Sequence, residues 1–234
     1  MNSRRKFIVQ SGLATTALIA AKPFKTVADA GSSILGLNFT NNKVIFLHTA
    51  DVHHSNQQQV LDHIAELKRS SGNIVLLNAG KAGSEDSTPL KYDASLCDNN
   101  VVDAASNNYR IIYKGNVKIG IITTNRNDNN LYNNINTLAG QLKKERNCHF
   151  VVCLSSLGYK HKNGFDNVNL AANTNHLDLI IGGDAKNDAR LPAVVLNKDK
   201  AEVIINHSTD ATTALSKIEI TFNDRGLKRN IAFN

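Results

Sequence analysis

A carboxylate and an imidazole follow directly after an apolar run near residue 50. The segment 44–47 is apolar and indicates a buried strand, and Asp51 and His53 come just past its carboxyl end. Proteins of the α/β class place ligand and metal sites at the carboxyl ends of their strands. Carboxylate and imidazole groups are both ligands of divalent metals. The pattern therefore predicts the start of a metal site whose other ligands must come from later in the chain.

The elements that would position these groups can be predicted from apolar periodicity. Short apolar runs at 44–48 and 74–77 are typical of buried strands, and the spacing over 57–69 fits an amphipathic helix between them. Helices are also predicted over 131–146 and 167–172. Further strands are predicted at 109–113, 117–123, 150–154, 177–181, 193–196, 202–205 and 215–222. This order favours an α/β fold with a mixed sheet or two packed sheets and helices outside.

Six sequence blocks occur in the order and at nearly the spacing of a known family. They are FLHTADVHH, NIVLLNAGK, VKIGIIT, FVVCLSSLGYKH, LDLIIGGDAKND and AEVIINHSTDATTALSKIEITF. Together they resemble the metallophosphatase domain of bacterial 5'-nucleotidases, within the calcineurin-like phosphoesterase superfamily, over roughly residues 43 to 222. The resemblance implies a four-layer sandwich of two packed mixed β-sheets flanked by helices. It also implies two divalent metals at the strand ends, about 3.5–4 Å apart, that activate a water and clamp phosphoryl oxygens.

The chain departs from the family pattern after its first two ligands. Asp51 and His53 match the family's D-x-H motif, but Lys81 stands where the family has the aspartate that bridges the metals. The family's next motif, G-N-H-[DE], supplies a metal ligand and the histidine that stabilises the leaving group. It is absent here, and only the segment 82–98 separates Lys81 from the block that should follow it. One connecting segment is therefore expected to be deleted.

Three further ligand positions are also changed. Ser156 replaces the histidine of the family's Ser-His-Leu-Gly motif. Asp184 and Lys186 replace the two histidines of its Gly-Gly-His-x-His motif. We therefore expect Lys81, Ser156 and Lys186 to occupy the pocket that the metals fill in the family.

A dinuclear metal centre is excluded on electrostatic grounds. Two divalent cations without a bridging carboxylate repel each other, and an ammonium at that position adds to the repulsion. At an effective dielectric constant of ~20, each pair of unit charges 4 Å apart costs ~4 kcal/mol. Two interpretations stay open. In the first, one divalent ion such as Mn, Zn or Mg is held by Asp51, His53 and Asp184, with His54 or His207 nearby. In the second, Asp51 and His53 only hydrogen-bond the neighbouring strand ends, and no cofactor binds.

Two other catalytic patterns are incomplete. Ser155-Ser156 invites comparison with a nucleophile, but no G-x-S-x-G motif is present. Gly182-Gly183 invites comparison with a phosphate cradle, but the chain lacks both G-x-G-x-x-G and G-x-x-x-x-G-K-[ST].

The resemblance thus implies two functions of different classes. The family is one of metal-dependent phosphoric ester hydrolases, and the favoured hypothesis is an inactive member that serves as a binding or scaffold protein. The alternative is a residual phosphoesterase, acting on a nucleotide or phosphodiester with a single metal. Full 5'-nucleotidases also carry a C-terminal domain that binds the nucleoside, whereas this chain ends at Asn234. A separately encoded protein of that kind is the expected partner.

The first thirty residues are predicted to be an export signal. Arg4-Arg5 precede a weakly apolar stretch at 12–21, and the small-residue triplet 28–30 follows. This pattern resembles a twin-arginine leader. The apolar stretch is too short to span a bilayer, which needs ~20 residues, and an uncleaved amphipathic anchor is the alternative. The expected organisation is a signal peptide over 1–30, a linker over 31–42 and a degenerate metallophosphatase domain over 43–234, in a bacterial protein that is periplasmic or otherwise exported.

The charge of the chain does not indicate nucleic-acid binding. The formal net charge is +7, but the leader holds five basic residues and one acidic residue, so the rest carries about +3. The chain has no Trp, and its basic clusters are scattered rather than interleaved with aromatic residues. The cluster 143–146 is interpreted as the solvated end of a helix. Cys97, Cys148 and Cys153 do not form a disulfide scaffold; buried free thiols are expected, with one disulfide left open.

Overall fold

Two mixed β-sheets carry most of the fold. The computed structural model describes residues 42–49, 57–80, 91–96, 109–124, 130–161, 164–183, 192–207 and 215–233. Their strands are β1 Lys43–Thr49, β2 Ile74–Asn78, β3 Ala94–Ser95, β4 Arg110–Lys114, β5 Val117–Thr123, β6 Phe150–Ser155, β7 Leu179–Gly182, β8 Ala193–Leu196, β9 Glu202–His207, β10 Leu215–Phe222 and β11 Lys228–Phe233. Their helices are α1 Gln57–Ser70, α2 Leu131–Lys144 and α3 Asn167–Asn173.

The strand directions place most carboxyl ends at a common edge of each sheet. Sheet A has the order β11-β10-β1-β2-β3, and sheet B has the order β4-β5-β6-β7-β9-β8. β1, β2 and β3 run parallel, and β10 runs antiparallel to both β1 and β11. In sheet B, β5, β6, β7 and β9 run parallel, and the edge strands β4 and β8 are antiparallel. Both sheets are mixed, which confirms the predicted fold class.

The main hydrophobic core lies between the two sheets. In β1, Val44 and Phe46 belong to this core, whereas Ile45 and Leu47 belong to the cluster that includes α1. Successive side chains of a strand point to opposite faces. A strand that is buried on both faces must therefore be apolar throughout, which explains the uninterrupted run in the sequence. From sheet B, Phe150 packs against Phe46 with ring centroids 5.5 Å apart.

Helices cover the outer face of each sheet and complete the four layers. Val60 and Ile64 of α1 pack on sheet A, and α2 and α3 pack on sheet B. Leu138 and Leu142 of α2 are fully buried at helical spacing. A Cβ atom on Gly120 would lie 2.8 Å from the Leu142 side chain, so the glycine allows α2 to approach β5 closely.

The end of α2 differs from the prediction. The helix ends at Lys144 rather than at residue 146, and Asn147 adopts a left-handed conformation with φ of 53°. Lys143 was predicted to be solvated, which is wrong because its ammonium lies 2.6 Å from the Asp178 carboxylate. Lys144 and Arg146 are exposed as predicted.

Two strands escaped prediction for physical reasons. β3 is only two residues long, so it offers no periodicity to detect. β11 is an edge strand whose side chains are all exposed or half-buried, so it lacks the apolar alternation that marks a strand with one buried face.

The described cysteines are buried thiols without a disulfide bond. Cys148 and Cys153 are free and buried, as expected, and Cys97 lies outside the described residues. Burial raises the pKa of Cys153 to about 12 and also raises that of Cys148. Both groups are therefore protonated and unreactive at neutral pH.

Within the described ranges, no helix combines the length and the apolar character needed to cross a membrane.

Candidate functional site

The carboxyl ends of strands from the two sheets meet at one end of the sandwich. Asn206 Nδ2 on β9 lies 2.8 Å from His48 Nε2 on β1. Beside them, Gly183 after β7 lies against the main chain after β2, because a Cβ on Gly183 would be only 1.6 Å from the Ala79 carbonyl oxygen. The topology thus brings together the strand ends that the sequence singled out, and this is the candidate site.

Only one of the six predicted site residues belongs to the described structure. The five that lie outside the described residues are Asp51, His53, Lys81, Asp184 and Lys186. His54, the possible additional ligand, also lies outside them. Ser156 is described, as is His207, so the site can be built from the ends of β1, β2, β5, β6, β7 and β9.

Ser156 forms a hydroxyl pair with the neighbouring strand end. Its backbone N–H donates to Thr124 Oγ1 at 2.9 Å, and its own Oγ lies 3.5 Å from that hydroxyl oxygen. Thr124 is fixed in turn by its backbone N–H, which donates to the Leu154 carbonyl at 2.9 Å. Where the resemblance implies a histidine ligand, the chain therefore presents neutral hydroxyl groups that tie β5 to β6.

His207 is a buried imidazole whose Nε2 faces an asparagine amide. Its Nε2 lies 3.0 Å from Asn167 Nδ2. An amide nitrogen can only donate, so Nε2 accepts and the ring proton of the neutral imidazole is assigned to Nδ1. The ring fills the space beside Gly182, where a Cβ would lie 2.3 Å from Cε1, and it packs edge-on against Tyr159 with centroids 5.8 Å apart. Packing and hydrogen bonding together hold this ring in place.

Asn167 is the centre of the hydrogen-bond network around His207. Its Oδ1 accepts from the Ser155 hydroxyl at 2.6 Å, and its Nδ2 donates both to His207 and to the Leu157 carbonyl at 3.1 Å. The acceptor and both amide protons are thus used, which supports this orientation of the amide. Ser155 Oγ also accepts from the Leu157 N–H at 3.1 Å. Ser155 is therefore a structural hydroxyl rather than a nucleophile.

The position of Asn167 depends on the start of α3. Asp166 precedes it in extended conformation and caps the helix, because its Oδ1 accepts from the Asn169 N–H at 2.6 Å. Its other oxygen accepts from the His161 N–H at 3.1 Å, which also fixes the loop after β6. The cap thereby fixes the first turn of α3, on which Asn167 lies.

His48 is a second buried imidazole, on the other sheet. The residue is fully buried, its Nε2 faces the Asn206 amide, and its Nδ1 has no hydrogen-bond partner among the described residues. Burial lowers the pKa of His48 to about 3, and the nearby His207 contributes in the same direction. His48 is therefore neutral at physiological pH.

The described residues do not fit the two-metal centre of the resembled family. No three His, Cys, Asp or Glu side chains group together closely enough to hold a metal ion in the part of the chain that the structure describes. Its strand ends offer hydroxyls, amides and two imidazoles, and each imidazole has its Nε2 within hydrogen-bond distance of an asparagine amide. Divalent metals at such centres favour carboxylates and free imidazole lone pairs.

The Gly182-Gly183 pair has a structural explanation. A side chain at Gly182 would overlap the His207 ring, and one at Gly183 would overlap the Ala79 carbonyl. These glycines allow the strand ends of sheet B to contact each other and sheet A, so a phosphate cradle is not needed to explain them.

Sequence comparisons and structure comparisons give different results. No protein-family model matches the chain, and no curated protein matches it. Three similar solved structures are Haemophilus influenzae NAD nucleotidase (NadN), a 5'-nucleotidase precursor from Thermus thermophilus, and Thermus thermophilus sulfate thiohydrolase SoxB in complex with glycerol. Their identities to this chain are 15%, 16% and 13%, with TM-scores of 0.57, 0.57 and 0.51.

The similarity covers most of this chain and about half of each nucleotidase. The matches cover 82%, 82% and 76% of this chain but only 55%, 54% and 41% of the respective structures. At such low identities the likeness establishes the fold. The chain therefore has the metallophosphatase-like fold that the resemblance of the six sequence blocks implies.

Proposed function

We propose that this chain is a 5'-nucleotidase-like protein that hydrolyses no phosphate ester and acts as a binding or scaffold protein. The observation that carries the proposal is the hydrogen bonding at the described strand ends. Asn167 and Asn206 place amide nitrogens 3.0 Å and 2.8 Å from the Nε2 atoms of His207 and His48. Groups that could bind a metal or move a proton are instead used to hold the two sheets and α3 together.

Sequence differences at the remaining positions support the same proposal. Lys81 stands at the position of the bridging aspartate, and the motif with the leaving-group histidine is absent. Removing one preorganised contact to the transition state lowers a rate by about 10²–10³. Loss of both metal bridging and leaving-group stabilisation therefore leaves little basis for turnover.

The alternative function, a single-metal phosphoesterase, depends on Asp51, His53 and Asp184. Equilibrium dialysis of the purified full-length chain against Mn²⁺ and against Zn²⁺, followed by metal analysis, distinguishes the two. We expect no ion whose binding depends on Asp51, so the wild type and Asp51→Ala should retain the same amount. His63→Ala is the matched control for histidine-dependent surface binding, because His63 is exposed on α1. An ion that is lost in Asp51→Ala but not in His63→Ala would support the alternative.

We further propose that the binding partner is a separately encoded protein that resembles the C-terminal domain of 5'-nucleotidases. This proposal is supported by the length of the matches, which leave nearly half of each nucleotidase structure without a counterpart here. Co-expression followed by size-exclusion chromatography tests it. A complex that elutes earlier than either protein supports the proposal, and two separate peaks at micromolar concentration contradict it.

Export through the twin-arginine route, with cleavage after Ala30, is part of the same proposal. It is supported by the paired arginines and the small-residue triplet 28–30. Cell fractionation with N-terminal sequencing provides the test, with Arg4→Lys/Arg5→Lys as the export-deficient control. Wild-type protein in the cytosol with residues 1–30 intact would contradict it.

A further inference from the structure

Two hairpin turns, one from each sheet, meet at the end of the sandwich opposite the candidate site. The β4–β5 turn spans residues 114–117, and the β10–β11 turn spans 223–227. His149, just before β6, joins them: its Nδ1 accepts from the Lys118 N–H at 3.0 Å, and its ring lies against Gly226, where a Cβ would be 2.3 Å from Cδ2. We call residues 113–118, 144–149 and 223–229 the hairpin face.

The hairpin face exposes large apolar side chains. Tyr113 is 66% exposed and Leu227 is 59% exposed. Tyr113 is the second-last residue of β4, where it pairs with Lys118, and Leu227 lies in the β10–β11 turn. Exposed aromatic and aliphatic side chains can enter the interfacial region of a bilayer.

The same segments of the chain carry several cations. The Lys118 ammonium donates to the main-chain carbonyl of Arg146, a neutral acceptor, and lies 5.7 Å from the Tyr113 ring centroid. The Arg146 guanidinium lies 5.8 Å from the Tyr109 ring centroid. Lys144 and Arg225 are exposed nearby.

Acidic groups near the face compensate only part of this charge. Asp178 pairs with Lys143 at 2.6 Å, and Glu202 pairs with Lys228 at 3.5 Å. Exposed Glu145 and Asp224 lie beside the cations in sequence. The five cations Lys118, Lys144, Arg146, Arg225 and Arg229 thus exceed the two acids that are not taken up by these ion pairs.

We propose that the hairpin face binds peripherally to a bilayer that contains anionic phospholipids. Basic residues near an anionic surface each strengthen binding, and aromatic and aliphatic tips add affinity by entering the interface. An anionic bilayer offers both a charged headgroup layer for the cations and an apolar interface for Tyr113 and Leu227, whereas a nucleic acid offers no aliphatic environment for Leu227. The geometry directs the strand carboxyl ends, with the candidate site, away from the membrane. This inference does not depend on the proposed function.

Fluorescence gives a position-specific test because the chain has no Trp. Tyr113→Trp places a single fluorophore on the hairpin face of the full-length chain. Vesicles of phosphatidylcholine and phosphatidylglycerol should shift its emission to the blue, and brominated acyl chains should quench it. Vesicles of phosphatidylcholine alone should do neither, and high salt should reverse both effects because screening weakens the attraction.

Val194→Trp is the matched control. Val194 is 54% exposed and lies on β8, at the edge of sheet B opposite β4. Five inter-strand spacings separate the two edges, or about 24 Å. Its fluorescence should stay unchanged. If binding came only from the N-terminal segment, both fluorophores would respond alike, and this result would overturn the proposal.

A charge reversal tests the electrostatic part. Arg225→Glu should weaken partitioning by roughly tenfold or more, because each cation near an anionic surface contributes about fivefold. Lys160→Glu, an equally exposed change in the loop after β6 near the candidate site, should have little effect, and thermal melting confirms that both variants fold. Equal binding of the two variants would overturn the proposal. So would binding to heparin or to an acidic protein without binding to the vesicles.

Discussion

Asn206 on β9 and His48 on β1 form a 2.8 Å contact that joins the two sheets at the carboxyl ends of their strands. The two residues are 158 positions apart in the chain, and both are buried. In the resembled family this end of the sandwich holds metal ions, whereas here its described part is tied together by neutral hydrogen bonds. This contrast leads to predictions about stability and activity.

Stability should depend on pH through His48. The pKa of His48 is about 3 in the folded protein and 6.5 in an unfolded chain, so the unfolded state binds more protons between these values. The stability that the neutral, buried His48 contributes is fully present above pH 6.5 and is lost as the pH falls towards 3. Between pH 7 and pH 5 this group alone should cost about 2 kcal/mol. Urea unfolding of the wild type and of His48→Gln at both pH values measures the difference.

His63→Gln is the control for this experiment, because His63 is exposed. Between pH 7 and pH 5, the free energy of unfolding of His63→Gln should fall as much as that of the wild type. For His48→Gln the fall should be about 2 kcal/mol smaller. Equal pH dependence in all three proteins would show that His48 does not titrate differently on folding.

A single substitution at Asn167 should lower the stability of the protein strongly, because one amide satisfies several buried polar groups. Asn167→Leu leaves the Ser155 hydroxyl, the Leu157 carbonyl and His207 Nε2 without the amide that they contact. Each buried polar group left unsatisfied costs about 1–3 kcal/mol. We expect the free energy of unfolding to fall by several kcal/mol, measured by chemical denaturation. Asn173→Leu, an exposed change in the same helix, should cost less than about 1 kcal/mol; similar losses in both variants would contradict this account.

Gly183 should not tolerate a side chain. In Gly183→Ala the new Cβ would lie 1.6 Å from the Ala79 carbonyl oxygen, so one strand end must shift. Overpacking of this kind costs about 1–3 kcal/mol, occasionally more. Gly72→Ala is the matched control, because nothing lies within 4 Å of its Cβ, and it should be neutral or slightly stabilising. Thermal denaturation of the two variants compares them, and a neutral Gly183→Ala would remove the packing explanation for this glycine.

Lys81 should replace the lost metals as a positive charge near Asp51 or Asp184. Both partners lie outside the described residues, so this remains a prediction from the sequence. Lys81→Met should lower stability by several kcal/mol if the predicted ion pair forms, because the carboxylate would lose its counter-charge. The double variant Asp51→Asn/Lys81→Met should recover most of the loss. If Lys81→Met is neutral, the ammonium is solvated and Asp51 needs another explanation.

Most of the sheet strands could be predicted because burial on both faces requires an uninterrupted apolar run in the sequence. The residues 44–47 of β1 and 150–154 of β6 are uninterrupted apolar runs, since one face packs between the sheets and the other packs against helices. The polar edge strand β11 and the two-residue strand β3 have no such apolar run.

The site was less predictable because its contacts are long-range. His207 was noticed as a possible metal ligand, but its partner Asn167 is 40 residues away, and neither Asn167, Asn206 nor His48 was singled out. Asp166 before α3 offered one available signal, since aspartate is a preferred helix cap. No local pattern shows that the residue after the cap reaches another strand end.

The turnover number of the purified chain distinguishes an inactive protein from a phosphoesterase. Hydrolysis of AMP and of a generic phosphodiester is measured with excess Mn²⁺ or Zn²⁺, for the wild type and for Asp51→Ala. We expect neither protein to show turnover above background, because the bridging carboxylate and the leaving-group histidine are absent from the sequence. A wild-type turnover above ~1 per second, within the ordinary range of enzymes, that is abolished in Asp51→Ala would contradict this expectation.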